Sequence, residues 1–184
     1  MARNILIMGP PGSGKGTQAA RIAERRGLAH ISTGDMLRAA MAAGSELGSR
    51  VKDIVDRGDL VPDDLMLELV LDRLSQPDAA EGFLLDGFPR TVAQADALVA
   101  ALNGSRVLER IILLEVPDEV LVERVLARGR TDDTEETIRH RLRVYIESTQ
   151  PVLDTLEGRL DRMDIDGVGT IEEITVRIER ALDA

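Results

Sequence analysis

The chain of 184 residues contains no cysteine, which excludes disulfides and thiolate metal ligands. Its two histidines, His30 and His140, lie far apart in sequence, so no structural zinc is expected. There is no tryptophan, and aromatics make up 2% of the residues, so the core must be packed from Leu, Ile, Val, Met and Ala with two Phe. No apolar run approaches the ~20 residues that a membrane span requires. Met1 leads within a few residues into the short apolar stretch Ile5–Met8 and then a glycine loop, which leaves no room for a signal peptide. A soluble cytoplasmic protein is expected. Lysine is also scarce: Lys15 and Lys52 are the only lysines among 23 basic residues, and the rest are arginine.

Acidic residues are plentiful, and the net charge of -10 disfavours nonspecific binding to nucleic acid or anionic lipid. An anionic substrate must therefore be captured by a local basic cluster, which distant surface charge leaves alone because screening sets in within ~8 Å at physiological salt. A hydrophobic content of 43% suffices for one core, so residues 1–184 are read as a single domain. The scarcity of lysine makes one position conspicuous, for Lys15 sits inside the glycine loop.

Short apolar runs at Asn4–Met8, Ala29–Ser32, Phe83–Asp86, Arg110–Val116 and Leu160–Asp166 alternate with longer amphipathic stretches. Helices are predicted over Thr17–Arg26, Thr91–Leu102, Asp118–Arg128, Thr134–Leu156 and Thr170–Leu182, several opening on a Thr or Asp suited to the N-cap. This βαβ pattern predicts an α/β fold, a five-stranded parallel sheet covered by helices on both faces. From Gly34 to Ser75 there are short helical segments and no strand, punctuated by Gly44, Gly48, Gly58 and Pro62, which reads as a helical insertion over the sheet's edge. No internal repeat or low-complexity tract is present.

Gly9-Pro-Pro-Gly-Ser-Gly-Lys-Gly-Thr17 follows the first strand and opens the first helix, the setting in which a P-loop is credible. Glycines let successive backbone N–H groups curve round a phosphate, the helix terminus adds positive partial charge, and Lys15 reaches the outer phosphates. The bland alternative is an ordinary Gly/Pro turn. The generic motif places Ser or Thr directly after the lysine, whereas Gly16 intervenes here before Thr17. That Lys-Gly-Thr loop resembles the nucleoside monophosphate kinases, and the adenylate kinase family in particular. Ile31-Ser-Thr-Gly-Asp-Met-Leu-Arg38, Gly58-Asp-Leu-Val-Pro-Asp63, Phe83-Leu-Leu-Asp-Gly-Phe-Pro-Arg-Thr91 and Arg130-Thr-Asp-Asp-Thr-Glu-Glu136 are similar to that family's motifs, in its order, across nearly the whole chain.

The resemblance implies reversible phosphoryl transfer between ATP and AMP, yielding ADP, on a P-loop NTPase fold with an AMP-binding insertion over residues 32–61 and a lid over 127–133. It implies that Gly12, Ser13, Gly14, Lys15, Gly16 and Thr17 hold the ATP phosphates and that Gly169 contacts the ATP adenine. Thr33, Arg38, Asp59, Leu60, Val61, Gly87, Phe88, Pro89 and Arg90 are implied to bind AMP, and Gln94 to read its base. Arg124, Arg128, Arg130 and Arg141 match the family's arginines that converge on the phosphates, with Arg128 on ATP and Arg130 and Arg141 on AMP. Arginine suits the task because its planar fork binds phosphate oxygens bidentately and stays charged. For any one of them a solvated helix face is the alternative, and Arg139 and Arg143 are read as surface charge. Asp86 is implied to orient water around Mg²⁺, against a simple turn cap, and Asp132 and Asp133 to position the lid arginines. For Thr33 the alternative is that Ser32 or Thr33 merely caps the first insertion helix, and capping and binding can coexist. His30, His140 and Tyr145 have no motif role and are read as core or surface.

Only Gly129 separates Arg128 from Arg130, so the resemblance is to a short-lid form, and a monomer is expected. Two rivals remain open at this stage. A UMP/CMP kinase tends to carry Ala in place of Thr33 and Asn in place of Thr91. A non-catalytic nucleotide sensor commonly loses the loop lysine or the phosphate-site arginines, all of which this chain retains.

Overall fold

A computed structural model describes residues 3–102, 107–129 and 134–184, with Arg128 described by its backbone alone. Five strands, β1 (Asn4–Met8), β2 (Ala29–Ser32), β3 (Phe83–Asp86), β4 (Arg110–Glu115) and β5 (Asp161–Asp166), form one parallel sheet in the order β2-β3-β1-β4-β5. The helices are α1 (Lys15–Arg26), α2 (Thr33–Ala42), α3 (Glu46–Arg57), α4 (Asp63–Leu74), α5 (Val92–Ala101), α6 (Asp118–Arg128), α7 (Glu135–Val144), α8 (Pro151–Leu156) and α9 (Ile171–Asp183). None of the described helices is long and apolar enough to cross a membrane.

The two-residue period of a strand divides the core cleanly. Leu6, Met8, Phe83, Leu85, Ile111 and Leu113 face one layer with Val51, Val70, Leu98 and Val152, beneath the insertion, α5 and α8. Ile5, Ile7, Leu84, Ile112 and Leu114 face the other, with Ile22 of α1 and Ile174 and Ile178 of α9. Both phenylalanines are buried, Phe83 at 1% exposure and Phe88 at 2%, and all else in the core is aliphatic. The insertion of α2, α3 and α4 follows the edge strand β2, as the absence of strand pattern there implied.

The helix expected over Thr134–Leu156 is interrupted. Pro151 has no N–H to return to the carbonyl four residues back, and the chain widens into a π-type turn over Tyr145–Thr149, where the Gln150 N–H donates to the Tyr145 carbonyl at 2.8 Å. The strand ends are shorter by one residue than expected at Val116 and Leu160, and α1 begins at Lys15 rather than Thr17.

In this strand order the chain reverses direction on either side of β1, and the carboxyl ends of β1, β2 and β3 share one edge. Ile7 and Ser32 both register with Asp86. In open parallel sheets that edge is where ligands bind.

Candidate active site

The loop leaving β1 is shaped by a clash that only glycine avoids. At Gly12, with φ of 88°, a Cβ would stand 2.5 Å from the Leu121 carbonyl oxygen of α6, so the loop seats directly on that helix. Gly14 caps α1 without a side chain, and the first turn of α1 holds no acid. The exposed N–H groups and positive end of α1 are therefore open to an anion. Lys15 Nζ lies 3.4 Å from the Pro10 carbonyl, folded along the loop. Arg124 donates to the Gly167 carbonyl at 2.9 Å and reaches the Ser13 carbonyl at 3.5 Å, which ties α6 to both the loop and the turn after β5.

Three buried polar atoms in this region have no hydrogen-bond partner within the described protein: Ser13 Oγ, His30 Nε2 and Asp86 Oδ1. All three residues border the same cavity, together with Gly12 to Thr17, Arg124 and Gly169. Asp86 is 6% exposed at the end of β3. Burial works against its ionisation, but the His30 imidazole, with Nε2 3.9 Å from Asp86 Oδ2, and the cations Lys15 and Arg90 outweigh it, holding the carboxyl below the usual range.

A second cavity opens beneath the insertion, bordered by Thr33, Arg38, Asp59, Leu60, Val61, Gly87, Phe88, Pro89, Arg90, Gln94 and Arg141. Capping of α2 falls to Ser32, which accepts from the Asp35 N–H at 3.4 Å. That leaves the Thr33 hydroxyl to donate to the Gly87 carbonyl at 2.9 Å. Gly87 has φ of 81°, and a Cβ there would come within 2.7 Å of Thr33 Oγ1, so the loop after β3 and the start of α2 interlock. Arg90 Nε donates to the Gly87 carbonyl at 2.7 Å. Although Arg90 is open to solvent through the cleft, the protein crowding its guanidinium lowers its pKa from the usual arginine range. Arg141 and Arg38 add to the effect, while Asp86 opposes it.

The two cavities share Lys15, Gly34, Arg38, Gly87 and Arg90. They are one cleft, pinched at a line of cations.

Of the residues singled out in the sequence, Arg130, Asp132, Asp133 and the Arg128 side chain lie outside the described residues. Arg139 pairs with Glu135 on the surface of α7, and Arg143 is exposed. Three residues read as core or surface border or adjoin the cleft instead. His30 faces Asp86. Tyr145 borders the second cavity, with its hydroxyl pKa pushed up to about 12, mainly by burial. His140 Nε2 lies 2.7 Å from Asp59 Oδ1, joining α7 to the turn after α3. Each of these partners is distant in sequence, and no local pattern announces the pairs. Asp63, the last residue of the Gly58–Asp63 motif, was given no role of its own there; it bonds to both Thr91 and Gln94.

A model of the adenylate kinase family matches residues 7–160. An adenylate kinase of Stenotrophomonas maltophilia (strain K279a) is 50% identical over 98% of this chain and 99% of its own length. One from Synechococcus sp. (strain WH7803) is 49% identical over 99% of this chain and 100% of its own. One from Kosmotoga olearia is 45% identical over 98% and 99%, in an alignment of 212 positions, so it carries residues that this 184-residue chain does not.

Proposed function

We propose that in this chain, which belongs to the adenylate kinase family and catalyses reversible phosphoryl transfer from ATP to AMP, giving two ADP, ATP occupies the cavity of the loop after β1 and AMP the cavity beneath the insertion. Their phosphates meet at Lys15, Arg38 and Arg90. The observation that carries this division is the shared cationic border between two cavities, one lined by a phosphate loop and the other by an apolar and amide-bearing pocket.

In the forward direction an AMP phosphate oxygen attacks the γ-phosphorus of ATP, the bond from that phosphorus to the β-bridging oxygen breaks, and the oxygen leaves as the new terminus of ADP. Little covalent chemistry falls to the protein. Its work is in-line placement, neutralisation of charge on the migrating group, and exclusion of water. The N–H groups of Gly12 to Thr17 and Lys15 hold the donor phosphates; Arg90, Arg38 and Arg141 hold the acceptor phosphate. Arg124 stands over the loop, bonded to the Ser13 and Gly167 carbonyls. Thr33 and the Asp59–Val61 backbone flank the acceptor base, Phe88 and Pro89 complete the turn beneath its phosphate, and Gln94 reads the base. Gly169 borders the donor cavity, which supports its contact with the ATP adenine. Arg128 and Arg130 act from a short lid over 127–133, and the insertion over 32–61 closes on AMP.

The residues around Asp86 fit a hydrated Mg²⁺. Its Oδ1 is buried without a protein partner, and Gly16 leaves the space in front of Oδ2, where a Cβ would stand 3.3 Å away. Asp86 would hold the ion through water, and the ion would supply positive charge to the phosphates. The net charge of -10 supports a monomer that binds nucleotides but no nucleic acid, and a cytoplasmic location is proposed with it.

Both rivals are tested by one panel, ATP with AMP, CMP or UMP in turn. AMP is expected to be the preferred acceptor. Preference for UMP or CMP would identify the pyrimidine kinase, and no product with any acceptor would identify a sensor. The analogue with two adenosines joined through five phosphates is expected to compete with both substrates. Displacement by ATP while AMP has no effect would misplace the acceptor pocket.

A further inference from the structure

Gln94 is 2% exposed and borders the second cavity, yet its side-chain amide is already half engaged. Its Oε1 accepts from the Arg90 backbone N–H at 2.7 Å, and its Nε2 donates to Asp63 Oδ1 at 2.7 Å. The other Asp63 oxygen accepts from the Thr91 hydroxyl at 3.0 Å, and that hydroxyl accepts in turn from the Gln94 backbone N–H at 3.1 Å.

The circuit runs in one sense only. A carboxylate accepts and cannot donate, and a backbone N–H donates and cannot accept. Turning the Gln94 amide over would set its oxygen against the Asp63 carboxylate and its NH₂ against the Arg90 N–H, an acceptor pair and a donor pair inside a buried site. Thr91 cannot relieve the conflict, because its single proton is committed to Asp63 while its oxygen receives the Gln94 N–H.

With one lone pair and one N–H of the amide consumed, one of each remains for a ligand in the cleft. Adenine offers an acceptor at N1 and a donor at N6, which is the complement of a neighbouring N–H and carbonyl oxygen. Hypoxanthine has the same outline with the polarity reversed, a donor at N1 and an acceptor at O6, and it needs the overturned amide. We infer that Asp63, a residue outside the lining of either cavity, sets the acceptor site's choice of an aminopurine over an oxopurine monophosphate by locking the orientation of Gln94. The inference rests on the reading that the acceptor base lies against Gln94.

The test compares kcat/KM for AMP and for IMP, with ATP as donor, in the wild type and in Asp63→Asn, Asp63→Glu and Gln94→Ala. An Asn side chain can present a donor or an acceptor to Gln94, so Asp63→Asn is expected to lower the AMP-to-IMP ratio about tenfold, the scale of one buried hydrogen bond. The change should appear in KM, with kcat for AMP within about twofold. Asp63→Glu restores an acceptor-only group and is expected to keep the ratio nearer to the wild-type value, whatever its melting temperature. Should Asp63→Asn not fold, Asp63→Ser, whose hydroxyl also works in either sense, carries the same expectation.

A ratio unchanged in Asp63→Asn or Asp63→Ser while Gln94→Ala loses discrimination overturns the lock and leaves the pocket as assigned. If Gln94→Ala changes neither the KM for AMP nor the ratio, the acceptor base does not lie against Gln94, and the reading of the pocket fails instead.

Discussion

The two halves of the cleft are built on opposite plans. The phosphate-holding part of the donor side is contiguous: nine residues from Gly9 to Thr17 supply the loop, the helix end and the lysine, and their geometry follows from local backbone, a seat on α6 and the bond from Arg124 to the Ser13 carbonyl. The acceptor side is a convergence of the segments at Thr33–Arg38, Gly58–Met66, Gly87–Gln94 and Arg141–Thr149, pinned by side-chain bonds between residues 28, 31, 81 and 86 positions apart. A contiguous loop depends mainly on its own residues, whereas a convergent site is widely open to damage at residues that never meet the ligand.

The largest expected effect lies where the halves meet. Lys15→Ala and Arg90→Ala are each expected to lower kcat by about a hundredfold or more, the scale seen when one preorganised charge-stabilising group is removed. Steady-state rates with ATP and AMP measure it. Near wild-type turnover in either variant would show that the cationic border is not where the phosphates meet.

Next in size is damage to the seat of the loop. Gly12→Ala combines a left-handed φ of 88° with a Cβ 2.5 Å from the Leu121 carbonyl, a backbone contact that a rotamer change cannot relieve. A loss of about 2 kcal/mol or more is expected, read as a melting temperature lower by roughly 5 °C for a chain of this size, with the KM for ATP raised more than that for AMP. Equal effects on both substrates would mean that the loop is not an independent unit.

The same contrast explains what could be read in advance. Strands β1 and β3 are mostly apolar and end at a glycine, and β2 ends at the residue that caps α2, so their ends are visible in sequence. The phosphate loop is visible for the same reason, since its chemistry and its neighbours are local. Tyr145 could not be placed, because it borders the cleft through a π-type turn that Pro151 provokes and that Thr149 holds by donating to the Arg90 carbonyl at 3.0 Å. His30 and His140 acquire meaning only beside Asp86 and Asp59, and Asp63 only beside Gln94. Helical periodicity does not encode such pairings.

His140 offers a milder way to separate the halves. It joins α7 to the turn after α3, next to the bond from Arg141 to the Val55 carbonyl at 3.3 Å. His140→Leu keeps bulk and removes the link to Asp59, so the Asp59–Val61 segment loses one of its anchors. The KM for AMP is expected to rise about threefold, in line with a partly exposed polar pair, while kcat and the KM for ATP stay within experimental scatter. A matching rise for ATP would break the distinction between the halves.

The smallest effect is a pH dependence located at the same turn. Arg57 first, and His140 second, bond to the Asp59 carboxylate and hold its pKa below the usual aspartate value against a small cost of burial. A carboxyl depressed in the folded state stabilises the protein above its unfolded pKa of about 3.9, and that contribution is lost as pH falls through the lower folded value. The window is therefore below about pH 4. The difference in urea midpoint between wild type and Asp59→Asn should be constant from neutral pH down to about pH 5 and should shrink as the pH falls below 4. With Asp59 38% exposed and His140 33%, solvent screens the pair, and the shift should be small. A difference that stayed flat to pH 3 would mean that Asp59 binds its proton equally well folded and unfolded, and that α7 is tethered to the insertion by Arg141 and packing alone.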